Sequence, residues 1–258
     1  MITIMKNCLT NYVLRVVVFI LLNCCFLKNG LGQALERENV ISELRATSEK
    51  YRNSQYLSFD INYRYFKEHE PGVYLDSLNG SFKLKGKSYW YELDNTEAIG
   101  DADLMVMLFK EDKIMYLTRP STYSMSQNPV AMIDSFLAER ADIKYRIIRE
   151  RDKKTLILDF EDGAAYKSIK YDIDGATGFL SKMTCVVKAS EMYDASVKSQ
   201  VEESDVYVVV EASFKNYRQT GFNESQFNTA KYFKKEGEEY VALPPYETYK
   251  VFLGTNTL

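Results

Sequence analysis

Leu57, Phe59, Ile61, Tyr63 and Tyr65 alternate with Ser58, Asp60, Asn62 and Arg64. This period-two pattern predicts a strand with one apolar and one wet face. The preceding stretch has a different period. Over residues 35–53, Ile41, Leu44, Ser48 and Tyr51, flanked by Val40 and Thr47, recur at three-to-four spacing, and charged residues such as Glu36, Glu43, Arg45 and Lys50 fill the opposite side. That predicts an amphipathic helix. Pro71-Gly72 turns the chain into a second strand, in which Phe82 and Leu84 alternate with Ser81, Lys83 and Lys85. Lys110-Glu111-Asp112-Lys113 separates two short apolar runs and predicts a hairpin. A second helix is expected over Pro129–Arg140, with Asn128 as its cap and Pro129 in its first turn. Val130, Met132, Ile133, Phe136 and Leu137 crowd that helix, so it needs a partner to bury it. Strands return at 145–148, 155–160, 166–173, 179–188 and 206–217, with a polar loop over 190–205. From Phe222 onward Phe227, Tyr232, Phe233, Tyr240, Tyr246 and Tyr249 are expected to pack the tail back onto the body. The sum is an α+β domain: a strongly curved antiparallel sheet with helices over its concave side.

The first 32 residues read as a targeting leader. Lys6 and Arg15 precede an apolar core from Val16 to Leu27, and Gly30 and Gly32 suit cleavage before Gln33. Leu21-Leu22-Asn23-Cys24 offers a competing reading, a lipidated anchor at Cys24. The remaining 226 residues form one domain, 33–258, without repeats or linkers. They keep 30 Lys and Arg against 36 Asp and Glu, a formal charge of −6 with no basic stripe. Nucleic acid is therefore not an expected partner. Cys185 is the single cysteine beyond the leader, so no internal disulfide supports the fold, and it reads as a small core residue.

The text Gly80-x-Phe82-x-Leu84-Lys85, followed by residues 107–117 (Met-Leu-Phe-Lys-Glu-Asp-Lys-Ile-Met-Tyr-Leu), resembles the periplasmic lipoprotein carriers of the Lol system, the LolA-like family. Pro120–Ser126 and the apolar helix after it fit the same pattern. The resemblance covers residues 35 to about 190 and is looser beyond. It implies an incomplete β-barrel lidded by helices, with an apolar cavity for lipid or lipoprotein acyl chains. It further implies a periplasmic carrier or chaperone working toward the outer membrane, with partner proteins at the inner and outer membranes. One position departs from the family: Gly86, between Lys85 and Lys87, stands where an arginine ties lid to sheet.

Catalytic chemistry has little support in the text. His69 lies in a turn, and no zinc spacing, phosphate-cradling glycine loop or nucleophile elbow occurs. A non-enzyme without cofactor or metal is expected. The aromatic load, 20 Tyr and 14 Phe, carries the functional question. Leu57, Phe59, Ile61, Tyr63, Phe82, Leu84, Tyr89, Tyr91, Met105 and Met107, with Ile133, Phe136 and Leu137 of the expected lid, would line an apolar cavity. The same residue types make an ordinary sheet core. Two functions follow: a carrier that shields acyl chains, or a scaffold whose own side chains fill the half-barrel.

Overall fold

The computed structural model describes residues 32–101, 103–119, 143–192 and 207–254. Helix α1 spans 32–53, starting three residues before the expected 35. The strands are β1 (Leu57–Lys67), β2 (Tyr74–Lys85), β3 (Ser88–Leu93), β4 (Thr96–Gly100), β5 (Met105–Phe109), β6 (Ile114–Thr118) and β7 (Lys144–Arg149). They continue as β8 (Lys153–Asp159), β9 (Tyr166–Asp174), β10 (Leu180–Lys188), β11 (Tyr207–Arg218), β12 (Phe233–Glu236), β13 (Glu239–Ala242) and β14 (Lys250–Leu253). The expected helix at 129–140 lies outside the described residues, as do its Ile133, Phe136 and Leu137.

Twelve of these strands make one curved, unclosed sheet in the order β14-β6-β5-β4-β3-β2-β1-β11-β10-β9-β8-β7. Every pairing is antiparallel except β14 on β6. β1 is therefore interior, flanked by β2 and β11, which suits its strict alternation. Its Leu57, Phe59, Ile61 and Tyr63 sit opposite Leu84, Phe82, Gly80 and Leu78 of β2. Gly80 is required there, because a Cβ would come within 2.2 Å of the Glu92 carbonyl oxygen.

α1 covers one sheet face with Val40, Leu44, Thr47, Ser48 and Tyr51, all buried. Its Tyr51 ring packs edge-on against Phe59 and Phe179, and its hydroxyl meets that of Tyr217. The Tyr217 hydroxyl in turn donates to the Leu180 carbonyl at 2.8 Å. Glu43 accepts from Lys154 at 2.8 Å and pairs with Arg149 at 3.4 Å, which fixes the helix against β7 and β8.

The tail closes the opposite face of β3–β6, as its aromatic residues suggested. Ile99, Val106, Leu108, Met115 and Leu117 are buried with Tyr232, and Trp90, Tyr240, Tyr246 and Val251 pack around them. Glu97 is the polar centre of this contact. Its Oε1 accepts from Trp90 Nε1 at 2.9 Å and from the Tyr232 hydroxyl at 3.0 Å, and Lys110 lies 3.3 Å from Oε2. Glu97→Ala removes the acceptor of a buried and a half-buried donor, Tyr232 and Trp90, and is expected to cost about 2–3 kcal/mol. Urea melts should show the loss, with hydrogen exchange rising first in residues 232–253. Uniform exchange across the sheet would refute a latch confined to the tail. The Lys85 side chain pairs with Glu224 of the tail at 2.7 Å, and Gly86 takes φ +58 in the β2–β3 turn.

Candidate functional site

The strand register fixes which side chains share the face beneath α1. From β1 the inward residues are Leu57, Phe59, Ile61, Tyr63 and Tyr65. Across β2 and β3 they are Leu84, Phe82, Gly80 and Leu78, then Tyr89, Tyr91 and Leu93. Farther out come Ala98 and Gly100, Met105, Met107 and Phe109, and Tyr116. In the other direction the face continues through Ala212 and Phe214, then Met183, Cys185 and Val187. Between β10 and β6 the described inward positions carry charge only at one rim, where Lys67 and Asp76 stand. All ten β-strand residues expected to line a cavity lie on this one face. A run of that width with charge at one rim only is uncommon for a sheet surface, because polar and apolar residues normally interleave wherever water reaches.

The ten divide into two groups by burial. Leu57, Phe59, Ile61, Phe82, Leu84 and Tyr89 are shut in by α1 and by each other, with Leu57 and Tyr89 at 0% exposure. Rings pack across the strands there: Phe179 on Tyr217 at 4.6 Å, Tyr217 near Phe59 at 5.2 Å, Phe59 on Phe82 at 5.3 Å, and Phe82 on Tyr91 at 5.1 Å. Such offset contacts add about 0.5–1.5 kcal/mol each beyond burial. This part of the face is a packed core. Tyr63, Tyr91, Met105 and Met107 are only half-buried, and they continue the face toward β6.

The alternation left several members of the open part unread. Leu78, Leu93, Phe109, Met183 and Cys185 are half-buried on the same face. Tyr116, opposite Met107, is 39% exposed and stacks on Phe252 of β14, itself 42% exposed. The period-two pattern through 105–118 contained that signal for Phe109 and Tyr116. Phe252 could not be placed, because its strand runs only four residues and joins β6 from far along the chain.

The electrostatics of the face are those of an apolar surface bearing phenols. Burial raises the Tyr63 hydroxyl to about 12, reinforced by the nearby hydroxyls of Tyr65 and Tyr91. Burial likewise raises Tyr91, and raises Cys185 to about 11, which keeps that thiol protonated and unreactive. His69 sits exposed in the β1–β2 turn, 3.2 Å from Glu70. Among the described residues no group of three or more His, Cys, Asp and Glu is placed to hold a metal ion. The clefts elsewhere are polar. One of about 650 Å³ on the outer face is lined by Asp60, Asn62, Arg64, Asn79, Ser81 and Asp94 among others, and one of about 950 Å³ runs along the charged side of α1. No described helix is long and apolar enough to cross a membrane.

Neither a protein-family model nor a curated protein matches the chain. Solved structures do. The chain is similar to an uncharacterized conserved protein from Thermus thermophilus, at 10% identity and a TM-score of 0.45, over 83% of this chain and 99% of that one. It is similar to a LolA superfamily protein from Nitrosomonas europaea, at 8% identity and a TM-score of 0.36, over 74% and 98% of the two chains. A putative outer membrane lipoprotein-sorting protein domain from Vibrio parahaemolyticus aligns at 12% identity and a TM-score of 0.32, over 74% and 96%.

Proposed function

We propose that the protein is a non-catalytic carrier that holds acyl chains of a lipid or lipoprotein against the half-open part of its inner sheet face. The observation that carries this reading is the inner surface from β10 to β6, charged among the described residues only at the Lys67–Asp76 rim and half-buried at Tyr63, Tyr91, Met105 and Met107 rather than closed by α1. Exposing acyl chains to water costs about 0.8 kcal/mol per CH₂, so a carrier needs an apolar wall and no reacting group. Methionines at two of the open positions suit irregular chains, because an unbranched thioether adapts its rotamer to the ligand. On this reading the leader directs the domain to the periplasm, and proteins at the inner and outer membranes pass the lipid to it and take it away.

The test is saturable binding of an environment-sensitive fatty-acyl probe to the delipidated protein. Met107→Trp fills the open part, and displacing two methylenes from the wall should weaken binding about tenfold. Ser58→Trp puts the same bulk on the other face and should leave binding unchanged. Leu57 and Leu84 are unsuitable sites for this change, because both are core residues under α1. The scaffold reading has its own support in the closed part of the face, which the protein fills with its own rings. Absence of saturable binding by folded protein, or equal loss in both variants, would favour it.

A further inference from the structure

Three hydroxyls interrupt the open apolar wall at one place. Tyr63 and Tyr65 are two apart on β1, their rings stacked at 6.5 Å. Tyr91 comes from β3, and Gly80 between the two strands has no side chain to separate it from Tyr63. The Tyr63 hydroxyl senses both of the others electrostatically, so the three lie close together. All three rings are half-buried, yet none of their hydroxyls makes a hydrogen bond within the described residues, whereas the Tyr51 and Tyr217 hydroxyls beneath α1 bond each other. The oxygens of Tyr63, Tyr65 and Tyr91 are not fully buried, so water satisfies them until a ligand's acceptor takes its place. The three donors stand together on the half-buried part of the inner face. The charged residue nearest in register is Asp76, opposite Tyr65, and Lys67 at the same rim is paired with Glu70 at 3.5 Å. Among the described residues, no cation on this part of the face is available for a carboxylate or phosphate.

Resting on the carrier reading above, we infer that Tyr63, Tyr65 and Tyr91 donate hydrogen bonds to the neutral ester or amide carbonyls at the head of the acyl chains, so that the site selects acyl esters over free fatty acids. Phenol donors in an apolar wall match an uncharged acceptor. A carboxylate would be desolvated there with no counter-charge, which is strongly unfavourable.

The experiment displaces the fatty-acyl probe with three competitors: dioleoylglycerol, its dialkyl ether analogue lacking both carbonyls, and oleate. The wild-type protein should prefer the diester over the diether by about tenfold, the worth of one to two hydrogen bonds, with oleate weaker still. Tyr63→Phe combined with Tyr91→Phe should bring the diester down to the diether and leave the diether itself unchanged. The change removes only two oxygen atoms that bond nothing in the described residues, so melting should be preserved. Tyr116→Phe, the same change near the β6 edge, should preserve the preference. Equal binding of diester and diether by wild type, or a preference that survives the double variant, overturns the carbonyl site while leaving the carrier reading intact. Absence of binding by the probe and by every competitor overturns both.

Discussion

Raising the pH above 10 should unfold this protein steeply. Tyr51, Tyr63, Tyr171 and Tyr217 are all held protonated by burial beyond their usual value near 10, Tyr63 to about 12. In the unfolded chain the same phenols ionise near 10, so above that point the unfolded state binds fewer protons and gains on the folded one. The stabilisation is complete below pH 10 and is lost as pH rises toward 12 and beyond. With the hydrogen-bonded Tyr51–Tyr217 pair counted as one site, three sites together give a loss of about 4 kcal/mol per pH unit. A domain with the usual 5–15 kcal/mol of stability would unfold within a few units. Chemical denaturation at a series of alkaline pH values, read beside tyrosinate absorbance, checks this. Ionisation of all tyrosines near 10 without loss of fold would show that these rings are accessible.

Tyr51→Ala should be among the most damaging single substitutions. Tyr51 is 2% exposed and touches Phe59, Phe179 and Tyr217 while its hydroxyl joins that of Tyr217. Truncating it leaves a cavity at the junction of α1 with β1, β10 and β11, at about 3–5 kcal/mol for an aromatic residue. Tyr51→Phe keeps the ring and loses the bond with the Tyr217 hydroxyl and the long one, 3.4 Å, accepted from the Leu180 N–H, about 1–2 kcal/mol together. Thermal melting of both variants separates packing from polar contact. If the two cost the same, the hydroxyl rather than the ring anchors the helix.

The architecture was largely legible in the sequence, for a physical reason. Alternation such as Leu57 to Tyr65 reports a sheet half in water, and the strands it marked at 145–148, 155–160, 166–173, 179–188 and 206–217 correspond to β7–β11 with ends shifted by one or two residues. The short strands of the tail were not read. β12, β13 and β14 each have four residues, too few for a period to emerge, and β14 depends on a distant partner. The candidate face was half legible. Alternation assigned ten residues to one side but could not say which of them α1 would cover, since that depends on how a helix crosses strands remote in sequence. Glu97 shows the same limit. An acid on the outer face of a strand reads as solvated until the tail, more than a hundred residues later, is found to lie over it.

β1 sits in the middle of the sheet, and its far neighbour is β11. During synthesis the strands β1–β6 can zip together as they emerge, but one side of β1 has no partner until residues 207–218 leave the ribosome. Until then the growing chain exposes an unpaired strand edge and a band of uncovered aromatic rings. Joining them needs a contact between distant parts of the chain, which slows folding. An interior position for the earliest strand thus makes the nascent chain adhesive for most of its synthesis, and gives it a need for protection that the finished molecule no longer has.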